Sequence, residues 1–155
     1  MLVVGVLVIV FSSFRQALII FATMPLAVIG SALGFWAFDI TFSFFAMIGL
    51  VSLIGIAINN GIIMVDTMNG YLEEGMSIPA AAAAGSARRL RPLLITAITT
   101  IVGLVPLAIS SAFYRPLTLV IIFGLISVSV LALFVIPALY LLLTPPDAGL
   151  EKSLD

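Results

Sequence analysis

The chain has 155 residues, of which 63% are hydrophobic and 8% charged, whereas soluble domains carry roughly 25% charged residues. With six Lys and Arg, seven Asp and Glu, and a mean hydropathy of +1.38, it cannot clothe a water-facing surface. It reads as a membrane protein and not as a soluble enzyme; a net charge of −1 with no basic tract excludes a nucleic-acid partner, and the lack of Cys and His excludes zinc and haem sites, disulfides and imidazole chemistry, so no cofactor is expected.

A helix crossing the hydrocarbon core needs about 20 apolar residues. The first uncharged run, 1–14, spans only about 21 Å at helical rise, so it is expected to be the tail of a truncated helix. It has neither the n-region charge nor the small-residue cleavage site of a signal peptide. The runs 17–38, 42–68, 92–112 and 117–143 are each long enough to cross. The predicted architecture is therefore all-α: a polytopic membrane helical bundle with four full transmembrane helices, a truncated first helix and a short cytoplasmic interfacial helix. The transmembrane domain is expected over 1–143, with 144–155 a disordered polar tail behind Pro145 and Pro146.

Cytoplasmic loops hold the excess of Lys and Arg. Across five segments Arg15, Arg88, Arg89, Arg91 and Lys152 fall on one side and Arg115 on the other, which predicts a cytoplasmic C-terminus. The one long loop, 69–91, opens with Asn69-Gly70, a turn signal. Ser77, Pro79 and an alanine run then predict an N-capped short helix lying on the membrane surface, its arginines near lipid phosphates.

Polar side chains are costly in hydrocarbon, so the few within the spans carry most of the information. Ser52, Gly55, Asn59 and Asp66 fall at offsets 0, 3, 7 and 14, one helical face of the third segment. Thr96, Thr99, Gly103 and Ser110 repeat these offsets on the fourth, with Thr100 beside them. Asn59 and Thr96 lie about 6 Å and 9 Å to the cytoplasmic side of their span midpoints. If the two spans are neighbours, Asn59, Asn60, Thr96 and Thr99 form an uncharged polar cluster; the alternative is that these groups only hold helices together. Gly30 and Gly34 form a GxxxG packing face, and Gly55 and Gly103 are further candidate packing positions. Pro25, Pro106 and Pro137 permit kinks, Trp36 suits an interfacial anchor, Asp39 suits a turn, and Glu73 and Glu74 suit solvent. No span carries a central acid. Asp66, the nearest, lies close to a span end, so the chain holds no proton carrier, metal site or catalytic dyad of its own.

The run GIAINNGIIMVD over 55–66, EEGMS over 73–77, RLRPLLIT over 89–96 and GLVPL over 103–107, extended by MPL at 24–26 and FVIP at 134–137, resembles resistance-nodulation-cell division (RND) efflux permeases. The likeness runs over residues 1–143 and follows the hydrophobe/amphiphile branch, the multidrug pumps of the AcrB and MexB type. It implies a C-terminal piece of a twelve-helix, proton-driven inner-membrane exporter, holding the end of helix 8 and helices 9 to 12. It further implies a homotrimer working with a periplasmic adaptor and an outer-membrane channel. The proton-binding acidic pair of such pumps lies on helix 4, in the half that is missing here. By position, Thr96 matches the family's relay threonine, Arg89 the arginine that joins its network, and Asn60 the asparagine on helix 10. Asn59 stands where familiar members carry lysine; an amide keeps hydrogen-bond donors but brings no positive charge.

Three readings remain open at this level. The first is a fragment of a proton-coupled multidrug efflux permease; the others are a protein-export accessory of the SecD/SecF kind and an inactive structural membrane fragment.

Overall fold

The computed structural model describes residues 14–39 and 41–144; the expected truncated helix at 1–14 (but for Phe14) and the tail beyond Thr144 lie outside the described residues. Five helices follow one another: α1 (Phe14–Phe21), α2 (Thr23–Phe38), α3 (Phe44–Glu73), α4 (Ile78–Ser110) and α5 (Arg115–Leu143). Among the described residues there is no strand, and four helical stretches are long and apolar enough to cross a membrane. The chain is an all-α, multi-pass membrane bundle.

The break between α1 and α2 has a local cause. Pro25 has no N–H, and its ring crowds the carbonyl four residues earlier, that of Phe21. The helix hitches at Ala22, whose N–H still bonds the Leu18 carbonyl at 3.0 Å. The two pieces therefore continue as one crossing from Arg15 to Phe38. Asp39 ends it in the left-handed conformation (φ 48°, ψ 44°), which a short polar side chain tolerates better than most.

Helix α3 starts at Ser43, whose hydroxyl accepts the Ala46 N–H at 3.3 Å. It passes straight through Asn69-Gly70, where a turn was expected, because Asn69 is held by hydrogen bonds from two other helices. The turn comes instead at Gly75 (φ 86°). There the Met76 N–H reaches the Tyr71 carbonyl at 3.2 Å and the Gly75 N–H the Leu72 carbonyl at 3.1 Å, the paired bonds of a Schellman stop.

The expected separate interfacial helix is corrected. Residues from Ile78 to Arg91 form the first turns of α4, which continues without a break to Ser110. Pro79 occupies the first turn, where its missing N–H has no intrahelical partner to lose. The alanines behind it are the strongest helix formers. Pro92 removes one interior backbone bond, which a membrane helix accommodates.

Helix α5 packs against each of the other four. Its crossing is 56% buried, against 6% for α4, which lies at the periphery. Leu125, Val128, Ala132, Ile136 and Tyr140 of α5 form the core with Leu53, Ala57, Met64, Val65 and Met68 of α3. Glycines bring backbones close. A Cβ on Gly34 would stand 2.8 Å from the Phe123 Cβ, and one on Gly30 would collide with Ser127. A Cβ on Gly85 of α4 would likewise stand 3.2 Å from the Met68 Cα of α3.

Candidate functional site

Arg89 of α4 donates from Nε to the Thr67 hydroxyl of α3 at 2.6 Å, and the same hydroxyl donates to the Ile63 carbonyl at 2.7 Å. Both groups are half-buried. One turn beyond, Arg88 donates to the Tyr71 hydroxyl at 3.0 Å and lies 5.9 Å from the centre of its ring. These contacts fix the antiparallel register of α3 and α4. Seven residues, about two helical turns, carry Thr67 back to Asn60 and Arg89 forward to Thr96, so Asn60 and Thr96 sit at one level on the same pair of faces.

The level match is present, but the expected pairing of side chains is not. Asn59, Thr96 and Thr99 are exposed, Asn60 is half-buried, and no hydrogen bond joins the asparagines to the threonines among the described residues. The three threonine hydroxyls of α4 bond their own helix: Thr96 donates to the Pro92 carbonyl at 2.9 Å, Thr99 to Ile95 at 2.8 Å and Thr100 to Thr96 at 2.8 Å. On α3, Ser52 does the same toward Ile48 at 2.9 Å. The reason is rotational. Ala57, Gly61, Met64 and Met68 take the packed face of α3, and Leu93 and Ala97 that of α4. Asn59 lies about 200° around the helix from Ala57, and Thr96 about 100° from Ala97. The two polar stripes therefore look outward from the bundle, with lone pairs and amide donors free to meet another element. Gly55 and Gly103 share this outward surface: a Cβ at either would meet nothing within 4 Å, so neither brings helices together among the described residues.

A second polar group was not apparent from the sequence. Gln16 of α1 and Tyr140 of α5 both donate to the Asn69 Oδ1 of α3, at 3.0 and 2.8 Å. Tyr140 is fully buried. Three residues drawn from distant stretches leave no common spacing to read. This junction also places the start of α1 and the end of α5 beside Arg88 and Arg89, so Arg15 shares that end of the bundle and Arg115 stands at the other. Thr67, the acceptor for Arg89, was likewise missed. It sits seven residues after Asn60, a spacing that could have revealed it.

Comparison with known proteins agrees with this architecture. A family model described as AcrB/AcrD/AcrF matches residues 1–144. The chain is 36% identical over 157 residues to the cobalt-zinc-cadmium resistance protein CzcA of Cupriavidus metallidurans, covering 99% of this chain and 15% of that protein. It is also 36% identical over 141 residues to the multidrug resistance protein MdtC of Erwinia tasmaniensis, covering 88% of this chain and 14% of that one. A crystal structure of a heavy metal efflux pump superposes with a TM-score of 0.80 at 31% identity over 91% of this chain and 14% of the pump. The chain thus spans no more than 15% of the length of these relatives. The family model over residues 1–144 and these relatives identify it as a member of the AcrB/AcrD/AcrF family of RND permeases.

Proposed function

We propose that this chain provides the uncharged side of a proton pathway in an RND efflux permease of the bacterial inner membrane, its arginine-rich end facing the cytoplasm. The observation that carries this reading is the exposure of Asn59, Thr96 and Thr99, with half-buried Asn60 beside them, near one level of two contacting helices. Polar groups turned toward hydrocarbon are unfavourable, so this surface is suited to an element bearing carboxylates from elsewhere in a longer permease. There Thr96 and the asparagines offer hydrogen bonds to the acids as their charge changes, and Arg89, anchored by Thr67, presents its positive charge two turns away. Gly55 and Gly103, which meet nothing in this bundle, allow that element close approach.

Relatives named for metal resistance and for multidrug resistance share these helices at the same 36% identity. This favours a role for the segment in energy coupling common to both, with cargo selected in other parts of the permease. A homotrimer joined to an adaptor and an outer-membrane channel is the assembly this reading entails. The test is Thr96→Ala in a full-length permease containing this segment. Efflux driven by an imposed pH gradient should fall sharply while membrane insertion and trimer yield stay normal; undiminished efflux would refute the relay role.

A further inference from the structure

At the end of the bundle where α3 turns into α4, Asp66, Thr67, Tyr71, Glu74, Arg88 and Arg89 line an open cleft of about 240 Å³. It contains two guanidinium groups and two carboxylates. No ion pair joins these acids to the arginines among the described residues. The guanidiniums are held instead by neutral hydroxyls, Arg88 by Tyr71 and Arg89 by Thr67. A guanidinium has five N–H donors, so most of the donors on both arginines, and the oxygens of both acids, remain available to a ligand.

We infer that this cleft binds the phosphoethanolamine headgroup of a bilayer lipid, its phosphate on Arg88 and Arg89 and its ammonium on Glu74, about one turn beyond Tyr71 on α3. The formal charges of the cleft cancel, so a purely anionic lipid gains no net attraction, while a zwitterion satisfies both signs at once. Guanidinium pairs phosphate through short, charge-assisted bonds, and a primary ammonium can donate three hydrogen bonds to carboxylates. A choline headgroup has no such donors and is recognised chiefly over aromatic faces. Among the described residues Tyr71 is the one aromatic ring lining the cleft, and it is already covered by Arg88. The cleft lies at the end of two membrane-crossing helices, where headgroups are concentrated, which assigns the ligand to the bilayer and not to a soluble metabolite.

The experiment is native mass spectrometry of the full-length protein released from mixed micelles containing equal amounts of phosphatidylethanolamine, phosphatidylglycerol and phosphatidylcholine. Phosphatidylethanolamine should be retained over each of the others by about tenfold, the equivalent of one well-formed charged contact. Glu74→Gln leaves the cleft with a net positive charge and should invert the preference toward phosphatidylglycerol. Arg88→Gln should weaken retention of both. Circular dichroism on each variant separates these outcomes from unfolding, which would lower all three lipids together. Equal retention of the three lipids, a preference unmoved by Glu74→Gln, or equal occupancy by soluble phosphoethanolamine at matched concentration would each overturn the assignment.

Discussion

Thr67 and Arg89 meet through a single 2.6 Å hydrogen bond, and that bond sets the height at which the asparagines of α3 stand beside the threonines of α4. Replacing Thr67 with Val keeps the shape of the side chain and removes the acceptor. A half-buried guanidinium then loses a partner, at a cost of about 1–3 kcal/mol. Reversible unfolding in mixed micelles should show this loss, and Thr67→Ser, which retains the hydroxyl, should recover most of it.

Asn59 separates a relay role from simple packing. In a full-length permease Asn59→Leu should impair proton-coupled efflux more than Asn59→Ser, because only serine keeps a donor on the outward face. Transport measured at matched expression decides the matter; equal activity of the two variants would reduce Asn59 to a spacer.

The glycines fall into two classes with opposite signs. Gly34→Ala drives a methyl into Phe123 and should destabilise the α2–α5 contact by about 1–3 kcal/mol. Gly103→Ala meets nothing in this bundle and should raise stability by up to about 1 kcal/mol through helix propensity. Thermal unfolding of the two variants side by side gives the comparison.

Ser129 is buried, and its Oγ has no hydrogen-bond partner among the described residues. Ser129→Ala removes a polar atom that gains nothing from its surroundings, and it should increase stability by about 1 kcal/mol. Tyr140→Phe gives the reverse sign. It deprives the Asn69 Oδ1 of one of its two donors and should cost about 0.6 kcal/mol, the mean for hydrogen bonds between membrane helices, and no more than about 1.7 kcal/mol.

The membrane crossings were legible in the sequence because hydrocarbon thickness imposes a length that uncharged runs display openly. The heights of Asn59 and Thr96 were legible for the same reason. Their direction was not. In a soluble helix the apolar side marks the core, but the lipid-facing side of α4, with Ile95, Ile98 and Val102 exposed, is as apolar as its packed side, so composition gives no bearing. Asn69-Gly70 misled because a turn propensity is a local preference, and here two donors from other helices outweigh it. The continuity of α4 was obscured by Pro92, whose single lost bond is small against the long helix around it. The Gln16, Asn69 and Tyr140 junction had no signature, since a tyrosine near a span end reads first as an interfacial anchor.

Because α5 is the most buried helix and the last of the five in chain order, the ribosome completes the four outer helices before their shared partner exists. Until it arrives, Gly30 and Gly34 face a gap, Tyr140 has yet to reach Asn69, and Leu53 lacks the neighbour that buries it. Assembly of this bundle is therefore held open until α5 is inserted against the four helices that precede it.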